Sequence, residues 1–111
     1  MIYYERGSAD DQLSSDDLRS GLHAALDALG ERKQVIAVPP DFTRFPSQAG
    51  VLTEAAWKYY GGRLTHVLPA LGSHHPMSSD QIRTMCQAVP EELFRQHNWR
   101  DEVTTLGRLE P

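Results

Sequence analysis

Two short apolar runs, each stopped by proline, constrain the fold of this chain more than any other feature of its sequence. The first spans residues 34–38 (QVIAV) and ends at Pro39, and the second spans residues 64–68 (LTHVL) and ends at Pro69. Runs this short and continuous are typical of strands that are buried on both faces. A helical pattern lies between them, so we expect one right-handed crossover that joins two adjacent parallel strands.

Three helices are predicted from serine N-caps that precede apolar residues at helical spacing. These caps are Ser14, Ser47 and Ser78. Asp17 and Gln81 stand at the third helical position after their caps, which predicts capping boxes in the first and third helices. Glycines at 30 and at 61–62 are expected to end the first two helices.

The remaining predicted elements are shorter. A fourth helix is expected over 90–94, a β-prone segment over 2–5 and a last strand over 103–106. The alternation of strands and helices predicts a single α/β domain over residues 1–111, with a three-layer, Rossmann-like parallel sheet. A sheet of roughly three or four strands should leave an open edge or an apolar patch, so we expect self-association.

Composition excludes several classes of protein. The 111 residues carry a formal net charge of −4, which argues against nucleic acid and against an anionic membrane surface as partners. The single cysteine, Cys86, excludes an internal disulfide framework, and we expect it to be a small buried residue. No apolar run approaches the roughly 20 residues of a membrane span. We therefore expect a cytoplasmic protein.

Polar residues follow both predicted strands at their carboxyl ends, where α/β sheets bind their ligands. The first loop carries Asp41, Thr43 and Arg44, and the second carries Gly72, Ser73, His74 and His75. Because the two strands are expected to be neighbours, these side chains should converge on one crevice. A carboxylate, a guanidinium and two imidazoles would then lie together.

Each of these residues keeps two interpretations. Asp41 either forms a turn after the two prolines or belongs to a site, and Arg44 either pairs with Asp41 or binds a substrate carboxylate as a bidentate fork. His74 is either a surface residue or a proton-transfer group, since its ordinary pKa is near neutral. His74 and His75 are adjacent and should point apart, so we expect no metal site on this chain. His97 and Trp99 are interpreted as a packing or turn cluster.

The same two loops resemble motifs of the nickel-dependent lactate racemase family. Residues 41–47 (DFTRFPS) are similar to its Asp-x-Thr-Arg loop, and residues 71–76 (LGSHHP) are similar to its Gly-x-His-x-Pro loop. The tail, HNWRD at 97–101 with Leu-Gly at 106–107, fits as well. The resemblance covers roughly residues 34 to 111.

The resemblance implies roles for these residues. His74 matches the first of two histidines that exchange a proton with a 2-hydroxy acid. Asp41 and Arg44 match loop residues near the substrate, with Arg44 as the carboxylate contact, and Thr43 and Gly72 are expected to line the same substrate site. The family's cofactor is a nickel pincer nucleotide that takes a hydride from the α-carbon and returns it.

The sequence departs from the family pattern in several places. Phe42, Phe45 and His75 stand where the family commonly has a polar residue, a proline and an arginine. The family's tethering lysine, nickel ligand and second histidine follow well downstream of these motifs. We therefore interpret the chain as the N-terminal part of a longer racemase-like protein, whose C-terminal part would complete the site.

Three functions stay open. The first hypothesis is an N-terminal domain of a 2-hydroxyacid racemase or epimerase, with no cofactor expected on this chain alone. The second is a small-anion-binding α/β module without turnover, which would use the 41–44 loop and the helix start at Ser47. The third is a structural domain whose loops are only turns.

Overall fold

The computed structural model describes residues 1–109, which form a mixed α/β fold around a two-stranded parallel sheet. In chain order, the helices and strands are α1 (Ser15–Leu29), β1 (Val35–Ala37), α2 (Ala49–Tyr60), β2 (Leu64–Val67) and α3 (Ser79–Met85). Short 3₁₀ helices occupy Phe42–Ser47, Gly61–Arg63 and Glu91–Leu93. Among these described helices, none combines the length and the apolar character that crossing a membrane requires.

The two strands pair in parallel, which confirms the prediction made from the apolar runs. Ala37 lies opposite Val67. The backbone ladder continues beyond both strands, because the Leu68 N–H donates to the Ala37 carbonyl and the Ala70 N–H donates to the Pro39 carbonyl, each at 2.8 Å. The chain therefore leaves both strands at the same edge of the sheet.

The hydrophobic core lies on one face of this sheet. Its buried members are Tyr60, Leu64, Val67, Met85, Cys86 and Val89. Helix α2 packs against both strands, and α1 packs on α2. Burial raises the pKa of the Cys86 thiol to about 11, so the thiol is protonated at neutral pH, as expected of a small buried residue.

The opposite face of β1 is open, so the prediction that this strand is buried on both faces is wrong. Ile36 is 58% exposed and Val38 is 61% exposed, because the described helices cover only the other face. The strand predicted over 103–106 and the β-prone segment over 2–5 are not strands either. Phe94 instead forms a parallel bridge to Val67 at the outer edge of β2.

Local capping decides where the helices begin. The capping boxes predicted at Ser14 and at Ser78 are both present, and they begin α1 and α3. The cap predicted at Ser47 is wrong. Asp41 caps a 3₁₀ helix six residues earlier, and α2 then starts after Gln48, whose φ of 63° lies in the left-handed region. The Asp41 carboxylate thus caps the 3₁₀ helix that follows the strand, and α2 begins without a side-chain cap.

Helices α2 and α3 approach closely at Gly50, and this contact yields a stability prediction. A β-carbon at Gly50 would lie 1.9 Å from the Met85 carbonyl oxygen. We expect Gly50→Ala to lower the free energy of unfolding by about 2 kcal/mol or more, since overpacking forces the backbones apart. Gly62→Ala is the matched control, because a β-carbon there meets nothing within 4 Å. Urea unfolding measures both, and equal stabilities would contradict the close contact.

Candidate functional site

The two loops that leave the sheet begin side by side. Pro40 and Ala70 form an isolated parallel bridge, so the loops that begin at Asp41 and at Leu71 leave the sheet at the same edge and side by side. Leu71 is buried and Gly72 turns the chain with a φ of 57°. The backbone brings His74 back, since its N–H donates to the Leu71 carbonyl at 2.9 Å. This turn places the His74 side chain over the first loop.

Asp41 is the centre of the site, a buried carboxylate with only 5% of its surface exposed. Its Oδ1 accepts from the Thr43 N–H at 3.1 Å and from the Thr43 hydroxyl at 2.5 Å. Its Oδ2 is 2.7 Å from His74 Nδ1. The Thr43 hydroxyl is the main reason that the pKa of Asp41 lies below its ordinary value. Burial opposes this shift, and the His74 contact adds to it.

The ionised state of Asp41 fixes the role of each ring nitrogen of His74. A carboxylate only accepts hydrogen bonds, so Nδ1 of His74 must carry the hydrogen and donate it. In the neutral ring Nε2 is then unprotonated. The side chain of His74 is 57% exposed, which leaves this nitrogen open to a ligand. An imidazole held in this way can accept a proton at Nε2 while the carboxylate stabilises the charged ring.

The structure brings Asp41, Thr43 and His74 together but does not bring the Arg44 side chain to them. Arg44 donates its backbone N–H to the Asp41 carbonyl at 3.0 Å, and its side chain points into solvent. Within residues 1–109 its guanidinium forms no ion pair, so the alternative that Arg44 pairs with Asp41 is not seen. Gly72 contributes its backbone turn.

Beside His74 lies a cleft of about 340 Å³ that sequence reasoning missed. His74 and His75 line one side, and the segment 96–102 lines the other with His97, Trp99 and Arg100 among its side chains. From the sequence, His97 and Trp99 are expected to form a packing or turn cluster. The available signal was the run of aromatic and basic side chains at 97–100, but no local pattern shows that it folds back to the second loop.

The described residues include no group of side chains that is identified as a holder of the nickel pincer nucleotide. In this part of the chain no three histidine, cysteine, aspartate or glutamate side chains are grouped so that they could hold a metal ion. The two lysines of the chain, Lys33 and Lys58, do not line the cleft beside His74. We therefore assign no described side chain to that cofactor.

Comparisons of this chain with protein-family models, curated proteins and solved structures found no match. The resemblance to the lactate racemase family therefore stays a prediction. The geometry of the two loops is evidence that does not depend on that resemblance.

The buried carboxylate yields a prediction about stability and pH. We expect Asp41→Asn to lower the free energy of unfolding by about 1–3 kcal/mol at pH 7, because an amide cannot accept from every donor that faces Asp41. The pKa of Asp41 is lower in the folded protein than in the unfolded chain. Its contribution is therefore full above the unfolded pKa of about 4, and it is lost as the pH falls through the folded pKa.

Urea unfolding of both proteins at pH 7 and near pH 3 measures this effect. The difference between wild type and Asp41→Asn should shrink at the lower pH. Asp10→Asn, at an exposed position near the N-terminus, is the matched control and should change stability little. A difference for Asp41→Asn that is the same at both pH values would show that ionisation of Asp41 is not the cause.

Proposed function

We propose that these residues form the N-terminal part of a 2-hydroxyacid racemase or epimerase in which His74 transfers protons. One observation carries this assignment: the 2.7 Å contact between His74 Nδ1 and Asp41 leaves Nε2 exposed as a proton acceptor. Each partner comes from one of the two motifs, at 41–47 and 71–76, that resemble the nickel-dependent lactate racemase family. The substrate class is a small 2-hydroxy acid.

The residues act as follows. His74 Nε2 accepts the hydroxyl proton of one enantiomer, and in the reverse direction it returns that proton as the same enantiomer forms again, while the second histidine would serve the other enantiomer. Asp41 is the positioning residue, because it holds the ring and stabilises the imidazolium that proton transfer creates. Thr43 fixes Asp41 in turn by donating both its N–H and its hydroxyl.

A complete reaction needs groups beyond these residues, and we propose that a C-terminal part of the same protein supplies them. In the family that the motifs resemble, the nickel pincer nucleotide supplies hydride chemistry at the α-carbon. The second histidine and the tethering lysine would come from that C-terminal part. The same part would add the strands and the layer of a three-layer, Rossmann-like sheet, in a cytoplasmic enzyme.

A second candidate function is a small-anion-binding module without turnover. The observation that favours it is the exposed Arg44, whose guanidinium forms no ion pair within residues 1–109 and stands beside the capped turn at Asp41. This candidate uses the same loops but gives His74 no chemical role. Activity of His74 variants therefore separates the two functions.

The racemase function is tested by replacing His74. In the protein encoded by the complete reading frame, we expect His74→Ala to lower the conversion of L-lactate to D-lactate by about 10²–10⁴-fold, the usual contribution of a general acid or base. Chiral chromatography of the product measures the rate. His23→Ala is the matched control, since His23 lies exposed on α1 and contacts Tyr59.

Two outcomes would contradict this function. Equal rates for His74→Ala and His23→Ala would remove His74 from proton transfer. A wild-type protein that binds lactate without converting it, while carrying the nickel pincer nucleotide, would favour the anion-binding module. Nitrogen NMR of the histidine rings gives an independent readout, because wild type should show the hydrogen of His74 on Nδ1.

The open face of β1 also supports the expected self-association of the 111-residue chain. Ile36 and Val38 project from this face and are more than half exposed. We expect sedimentation velocity to show concentration-dependent dimers of wild type, and the double substitution Ile36→Lys with Val38→Lys to abolish them, because charge opposes apolar association. A wild-type chain that stays monomeric at high concentration would contradict this.

A further inference from the structure

The far wall of the cleft beside His74 carries an arginine that is held in place by an aromatic ring. The guanidinium carbon of Arg100 lies 4.6 Å from the ring centroid of Trp99, a cation–π distance. Both residues line the cleft, and Arg100 forms no ion pair within residues 1–109. A guanidinium that packs over an aromatic face keeps its N–H edge available, and that edge can bind a carboxylate bidentately.

His97 lines the same cleft and is restricted to one tautomer. Its Nδ1 is buried and has no hydrogen-bond partner among the described residues. A hydrogen on that nitrogen would be a buried donor without an acceptor, which folded proteins avoid more strictly than an unpaired acceptor. The neutral ring therefore carries its hydrogen on Nε2. His97 and His74 thus have opposite tautomers: His97 donates at Nε2 and His74 accepts at Nε2.

We propose that this cleft binds a small 2-hydroxy monocarboxylate, with Arg100 as the carboxylate anchor and His97 as a hydrogen-bond donor at Nε2. This inference rests on the proposed function, because it gives His74 its substrate. It assigns the carboxylate contact to Arg100, which lines the cleft, whereas Arg44 does not line it. A volume of about 340 Å³ lies within the range of small-molecule sites.

Two further side chains set the chemical class of the ligand. Among the described residues that line the cleft, Arg100 is the only arginine or lysine and Glu102 is the only carboxylate. A second carboxylate on the ligand would therefore find no further arginine or lysine to pair with and would be repelled by Glu102. The face of Trp99 gives the cleft an apolar wall. A hydroxy acid with one carboxylate and a short apolar substituent, such as lactate, fits these walls. A dicarboxylate of similar size, such as malate, does not.

Titration of the ¹⁵N-labelled 111-residue chain with lactate, followed by NMR, tests the anchor. We expect Arg100→Gln to weaken lactate binding at least tenfold, and Arg100→Lys to weaken it less because the charge remains while the fork is lost. Arg108→Gln is the matched control. It removes the same charge from the same exposed segment but outside the cleft, and it should change the dissociation constant less than twofold.

A titration with malate tests the assigned ligand class. Wild type should bind lactate more tightly than malate. Glu102→Gln should lower the ratio of the malate to the lactate dissociation constant, because malate binding becomes stronger. Equal preference in wild type and in Glu102→Gln would overturn the role of Glu102.

Other outcomes separate this inference from the proposed function. No lactate binding by wild type, or equal losses for Arg100→Gln and Arg108→Gln, would overturn the cleft as the carboxylate site. If only Arg44→Gln weakened lactate binding, the carboxylate contact would belong to Arg44 in the first loop, and the role of Arg100 would be overturned. Lactate binding that depends on Arg100, together with full racemisation by His74→Ala, would uphold the cleft while the proposed function fails.

Discussion

The parallel ladder between β1 and β2 extends past both strands, and the arrangement of the site depends on that extension. Pro39 has no N–H, but its carbonyl still accepts from Ala70, so the two chains stay in register where each meets its prolines. The ladder ends at the bridge between Pro40 and Ala70, and both segments then leave the sheet as loops. Asp41 and the loop that carries His74 therefore start from one fixed line, which makes a 2.7 Å contact across 33 residues possible.

Asp41 combines a structural role with a chemical one. Its two oxygens accept from Thr43 in its own turn and from His74 in the other loop, so the same charge that begins the 3₁₀ helix also orients the imidazole. Burying a carboxylate is costly unless donors surround it, and here the donors come from both loops. The hydrogen bonds that this one buried carboxylate accepts thus hold the two loops together.

Local chemistry made part of this arrangement predictable. The boxes at Ser14 and Ser78 follow from neighbouring residues, and the placement of Asp41 and His74 at one edge of the sheet follows from parallel pairing. That the open apolar face would lie on β1, at Ile36, could not be foreseen, because an apolar run does not show which of its faces a second layer covers. Nor could the position of Arg100, since the path of residues after β2 depends on packing between segments that share no sequence pattern.

The close approach at Gly50 also limits how this protein can vary. Because α3 contacts α2 through Met85, the segment between the end of β2 and Ser78 joins two packed parts of the fold. An inserted residue in that span would have to loop outward and would carry His74 away from Asp41. Diversity at this site should therefore arise by exchange of side chains at constant loop length, for example at His75, and not by insertion or deletion of residues.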